Sequence, residues 1–172
     1  LYEEPMGTVS GVQTQIPVLL SEYQFQSKED VDAYLELMKT TPDYFNSLIA
    51  FEQEKAQKGL FMASYTADTV IEQCQAFIDM GDSNYLISTF VDRIQKLTDL
   101  SESEKSDYIQ KNAYMLKTYV LPAYQQLIKT VVELKDSGKN EEGLCYLPNG
   151  KEYYELTVQA STGSARTVPQ LQ

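Results

Sequence analysis

Three tyrosines, Tyr146, Tyr153 and Tyr154, crowd around the turn Leu147-Pro-Asn-Gly150, and their type and clustering suit ligand contact. A tyrosine offers an apolar ring with a hydrogen-bonding tip, a combination that can hold a peptide in a groove. The same ring fills cores, and the chain carries thirteen tyrosines and no tryptophan, so core packing competes with binding as the use of each. Tyr153 and Tyr154 are neighbours on an expected helix, and their side chains leave it about 100° apart. One is expected to pack on the core while the other faces a groove; the spacing leaves open which.

Catalytic constellations are excluded more firmly. The chain has no histidine, which removes Ser-His-Asp and Cys-His sites and the two-histidine helix of a zinc peptidase. No serine is followed three residues later by lysine, so the Ser-Lys alternative lacks its motif. Asp30 with Asp32, and Asp79 with Asp82, pair acids at short range, but neither pair opens a calcium loop; they read as solvated helix ends. The eight glycines are scattered and form no phosphate cradle. Cys74 and Cys145 have no local spacing motif and are expected to be free thiols, Cys74 as a small hydrophobe on a helix and Cys145 as a packed loop residue. No catalytic residue, metal ligand or cofactor is assigned to this chain.

The elements that would position the tyrosines are helices. Over about 104–136, Ile109, Ala113, Leu116, Val120, Ala123, Leu127, Val131 and Leu134 recur at spacings of three and four, one stripe of a long helix. Ser101 and Glu104 form a capping box at its start, and Gly138 stands where a left-handed C-cap belongs. Pro122 removes the donor for the Thr118 carbonyl, which predicts a kink at residues 118–122 rather than a stop. The fold class is therefore all-α, a multi-helix array packed around a long, Pro-kinked helix.

Shorter helices precede it. Residues 1–13 read as an irregular lead-in, and Pro17 leaves at most a short helix between Val12 and Leu20. Ser27 with Asp30 caps a helix whose stripe is Val31, Tyr34, Leu35 and Met38. Thr41 and Pro42 start the next, with Tyr44, Phe45, Leu48, Ile49 and Ala56 inward and Gly59 at its end; the two form a hairpin. A fourth helix begins at Thr66 or Ala67 with Val70, Ile71, Cys74, Phe77 and Ile78 and ends at Gly81; a fifth carries Tyr85, Leu86, Phe90, Val91, Ile94 and Leu97. After the spine come a polar loop, an extended segment over 144–150, a last helix over Glu152–Ala160, and Thr167 as the N-cap of a helix beyond. No alternating run is long enough for a sheet.

Length and charge bound the class. A chain of 172 residues suits a single helical domain over 1–172, and it opens and closes in mid-phrase, as a piece of a longer protein would. Fourteen basic against twenty-five acidic residues give a net charge of -11, which repels phosphate backbones, so nucleic acid is not an expected partner. The longest apolar run is about five residues against the roughly twenty that a membrane span needs, so no transmembrane segment is expected.

Ile16-Pro-Val-Leu-Leu20, Tyr23-Gln-Phe25, Ser27-Lys-Glu-Asp-Val31, Ala33-Tyr-Leu35 and Pro42-Asp-Tyr44 together resemble the opening of the bacterial family catalogued as domain of unknown function 885. Leu147-Pro-Asn-Gly-Lys-Glu-Tyr-Tyr154, with Thr162 and Thr167 after it, is similar to a second block of that family, although Val168 stands where the family's Thr-Pro-Glu sequence places its proline. The resemblance implies a metallopeptidase-like parent, a helical hydrolase with zinc held on a His-Glu helix further downstream. That motif has no counterpart here. It further implies that this chain is non-catalytic scaffold and a wall of a substrate channel, with the remainder of the parent chain and a peptide substrate as partners. An exported or lipid-anchored (lipoprotein) parent, outside the cytoplasm, is implied too. The alternative is a self-sufficient acidic helical binding module for a protein or peptide.

Overall fold

The computed structural model describes residues 1–171 and, among them, contains helices and no strand. In chain order the helices are α1 (Val12–Glu22), α2 (Lys28–Lys39), α3 (Thr41–Gln57), α4 (Ser64–Asp79), α5 (Tyr85–Ile94), α6 (Glu102–Met115), α7 (Leu121–Leu134), α8 (Gly150–Thr162) and α9 (Val168–Leu171). Side chains of α1 to α7 share one hydrophobic core to which α8 and α9 add nothing. The all-α expectation holds.

Local chemistry explains most boundaries. At α2 the Ser27 amide donates to Asp30 Oδ2 at 3.0 Å, and at α6 the Ser101 amide donates to Glu104 Oε2 at 2.9 Å while the Glu104 amide donates back to Ser101 Oγ at 3.3 Å. These bonds satisfy donors that a helix start leaves without partners. α2 then buries the expected Val31, Tyr34, Leu35 and Met38, each stabilising the fold by roughly 1.5–3 kcal/mol. Asn84 starts α5 by accepting from the Leu86 amide at 2.9 Å, and Gly59, at φ 70°, takes the chain out of α3 in the left-handed conformation that glycine adopts without strain.

Pro17 does not stop α1, which runs eleven residues through it. The ring deprives the Gln13 carbonyl of its helical donor, and the Tyr124 hydroxyl of α7 supplies one at 2.7 Å. A buried carbonyl is costly only when unpaired, so a tertiary contact makes the proline tolerable. The far end of α1 is closed in the same way: Arg93 Nη1 of α5 donates to the Leu20 and Tyr23 carbonyls at 2.9 and 2.7 Å, with its guanidinium against the Phe25 and Tyr34 rings.

The long helix continues past Pro122, and its irregularity takes the form of a π turn over Leu116–Val120, in which the Leu121 amide reaches back five residues to the Leu116 carbonyl. Its buried line also differs from the expected one in the first half. Lys105, Tyr108 and Asn112 are buried where Ile109 and Ala113 were expected, and Ile109 and Ala113 are only half-buried. Neighbouring helices satisfy the two polar tips: Tyr108 donates to Asp32 Oδ1 at 2.8 Å, and Asn112 Nδ2 donates to the Leu86 carbonyl at 3.0 Å. The line 108, 112, 116, 120 advances by fours and overshoots an α-helical face by about 40° each step; the wider π turn takes up part of that drift. α7 then packs chiefly on α4 and α3.

Other expectations are corrected. Tyr44 is half exposed beside Leu37 and Leu19, because Phe45, Leu48, Glu52 and Lys55 occupy the inward face of α3. The left-handed residue after α7 is Asp136, at φ 70°, not Gly138. Gly138 matters for a different reason: a Cβ there would lie 2.5 Å from the Phe61 carbonyl oxygen. Residues 144–146 form a 3-10 turn rather than an extended segment, and α8 begins at Gly150, two residues early. Cys74 is buried, its thiol pushed up to about 12 by desolvation, and Cys145 is exposed rather than packed; both are free. Thr167 precedes the single turn α9, and its amide donates to Gln170 Oε1 at 2.9 Å.

A cleft between the N-terminal strap and the last long helix

Residues 1–11 form no helix, yet they are pinned to the body as a strap. Met6 is fully buried, the Val12 amide donates to the Pro5 carbonyl at 2.9 Å, and Gln13 and Gln73 donate to the carbonyls of Gly7 and Thr8, each at 2.8 Å. A further anchor is ionic. Lys55 of α3, fully buried, donates through Nζ to the Glu3 carbonyl at 2.8 Å and pairs with Glu4 Oε2 at 3.0 Å. Glu52, one turn back and 1% exposed, lies 3.6 Å from the same ammonium, and neither of its carboxylate oxygens receives a hydrogen bond.

Two acids therefore share one base, with Lys55 and Glu52 buried and Glu4 partly open to solvent. Desolvation pushes the Glu52 carboxyl up to about 7, opposed by Lys55 and reinforced by Glu4. Burial also raises Glu4, with Lys55 acting against it. Glu52 and Lys55 keep helical spacing with the inward Phe45 and Leu48 of α3, but spacing alone does not turn charged residues inward. Their charge hid them.

The strap continues to Tyr2, which α8 meets. The Tyr2 and Tyr153 rings stack with centroids 4.6 Å apart and planes 19° off parallel, and the Tyr2 hydroxyl donates to the Pro148 carbonyl. A short Gly150 permits the turn that presents Tyr153, because a Cβ there would fall 2.0 Å from the Leu144 carbonyl oxygen. Strap, α4 start, 140–144 loop and α8 enclose a cleft of about 490 Å³ whose lining includes Tyr2, Glu4, Met62, Tyr65, Asn140 and Tyr153. Tyr2 sat in what looked like an irregular lead-in, and no local pattern marks it, because the strap is ordered only by distant partners.

The three tyrosines singled out by sequence do not converge. Tyr153 lines this cleft, is half-buried, and packs on Tyr2 rather than in the main core. Tyr154 points elsewhere, 48% exposed, into a separate concavity of about 420 Å³ with Cys145, Lys151, Val168 and Pro169. Tyr146 is exposed and lines neither. A further hollow of about 420 Å³, apolar, lies between α1 and the α2–α3 corner, lined by Ile16, Leu19, Leu37 and Tyr44.

The bacterial family of unknown function DUF885 matches residues 2–172. This chain belongs to it. No curated protein matches the DUF885 chain. A solved structure described as "the putative lipoprotein from Colwellia psychrerythraea" superposes with a TM-score of 0.91 at 18% identity, covering 96% of this chain and 29% of that one. At that identity the likeness speaks for the fold alone, and this chain spans under a third of that structure's length. Among the described residues no group of three or more His, Cys, Asp and Glu side chains could hold a metal ion, and the sequence has no histidine, so the residues present do not fit the zinc that a metallopeptidase would need. No helix among them is long and apolar enough to cross a membrane.

Proposed function

We propose that this DUF885 chain is a non-catalytic helical section of a longer bacterial metallopeptidase-like protein, where it acts as scaffold and as one wall of a peptide-substrate channel. The observation that carries the reading is the cleft walled by the stacked pair Tyr2 and Tyr153. Its rings and flanking polar groups suit an extended peptide, which needs apolar contact for side chains and polar groups for its backbone. The sequence has no histidine, and no metal-ligand cluster is found among the described residues, so a catalytic base and any zinc would come from other parts of the polypeptide. A location outside the cytoplasm, on a lipid-anchored protein, fits the wording attached to the similar structure.

The test replaces Tyr153 with Leu in the full-length protein and measures peptide binding and turnover beside thermal stability. The melting temperature should stay within about 3 °C, while peptide affinity or kcat/KM falls by about tenfold as the stacked wall is lost. Unchanged binding and turnover would overturn the assignment of this cleft to the channel.

A further inference from the structure

The charge arrangement beneath the cleft identifies what kind of peptide it takes. Glu4 is the only charged side chain among the residues that line it. Behind Glu4, the buried Lys55 is the base shared by two acids: it hydrogen-bonds the Glu3 carbonyl and ion-pairs with Glu4 at 3.0 Å, while Glu52 stands 3.6 Å away and receives no hydrogen bond. With both carboxylates ionised the cluster is one positive charge short, and buried charge without a partner is unfavourable. A cation entering the cleft beside Glu4 supplies that charge. It also meets aromatic faces, because Tyr2, Tyr153 and the 62% exposed Tyr65 line the same space. Rings around a cation attract it through their quadrupole, most strongly where water is displaced. An anionic side chain would find no base in the lining and one carboxylate.

We infer that this cleft is a subsite for a cationic side chain, a lysine or arginine of the bound peptide lying between the tyrosine rings and the Glu4 carboxylate. The inference rests on the peptide-channel reading and adds the class of residue recognised. Glu4 holds the strap through Oε2 and Lys55, so strap position and cation recognition share one carboxylate. Occupancy therefore favours ionised Glu52 and releases a proton near neutral pH.

The experiment uses two acetylated, amidated pentapeptides that differ only in a central lysine or norleucine, titrated into the full-length protein by calorimetry at 0.15 M salt. The lysine peptide should bind about tenfold more tightly and release protons at pH 7, read from the dependence of the heat on buffer ionisation. Glu4→Gln should abolish the preference, read as the ratio of the two affinities, which a shift of the strap common to both peptides leaves unchanged. Glu3→Gln removes the same formal charge from an exposed side chain outside the lining and should keep the preference. Tyr65→Leu should reduce it.

Equal affinity for both peptides overturns the cation subsite and leaves the channel wall standing. The subsite also falls if Glu4→Gln and Glu3→Gln lose the preference alike, since the net field of -11 would then be its source, or if Glu4→Gln weakens both peptides equally. Failure of both peptides to bind removes the channel reading as well.

Discussion

α7 and α8 are nearly equal in length, 14 and 13 residues, and both carry apolar residues at helical spacing, yet they are held in opposite ways. α7 buries Ala123, Tyr124, Leu127, Thr130 and Val131 against α4 and α3, whereas α8 buries only Gly150 and leaves Leu156 64% exposed. An apolar stripe fixes a helix only where other helices supply the opposing surface. α8 is instead hooked to the strap by one aromatic stack and one hydroxyl bond, and the cleft lies at that joint. The scaffold is packed, and the candidate site is where packing gives way to a few specific contacts.

The largest test of this contrast is a pair of truncations. Leu127→Ala should cost about 3–4 kcal/mol by opening a cavity in the shared core, and Leu156→Ala less than about 0.5 kcal/mol, both by urea denaturation. Similar losses would mean that α8 is packed as α7 is.

The ionic joint comes next. Glu52 is a carboxyl raised from 4.5 to about 7, so the folded state binds its proton more tightly than the unfolded state does. Its contribution is full below 4.5, declines as pH rises from there to 7, and is flat above. Against Glu52→Gln, which cannot titrate, the parent should lose on the order of 2–3 kcal/mol of stability across that window. Parallel stability curves for the two would show that Glu52 ionises without strain.

A smaller effect is expected inside the scaffold. Tyr124→Phe leaves the Gln13 carbonyl, already without a helical donor because of Pro17, unpaired in a buried position; about 1–2 kcal/mol should be lost. Restoring the donor from the other side, Pro17→Ala in the Phe background, should recover part of that loss, and no recovery would break the link between the two residues.

The last effect is local, at the hook. Tyr2→Leu removes a stack worth about 0.5–1.5 kcal/mol and should barely move the main unfolding transition. Proteolysis within 144–162 should nevertheless accelerate several-fold as α8 comes loose. Equal cleavage rates would place the grip on α8 elsewhere.

Sequence alone was enough for the all-α class, for both capping boxes and for the continuation of the long helix past Pro122. Each of these rests on interactions within a few residues, where spacing, cap chemistry and ring geometry act before any tertiary contact forms. It also singled out Tyr146, Tyr153 and Tyr154 as candidates, without marking Tyr2 as the partner of one of them. Four features were decided only by tertiary structure. α1 survives Pro17 because Tyr124, 111 residues away from Gln13, donates to it. Lys105, Tyr108 and Asn112 displace Ile109 and Ala113 from the buried line because α2 and α5 bring acceptors for two of them. Tyr153 and Tyr154 part company because Tyr2 arrives from the other end of the chain to stack on one of them. Glu52 and Lys55 turn inward because the strap brings a carbonyl and a second carboxylate to the ammonium. In every case a polar or aromatic group is placed by a partner distant in sequence, and no local periodicity encodes the identity of that partner.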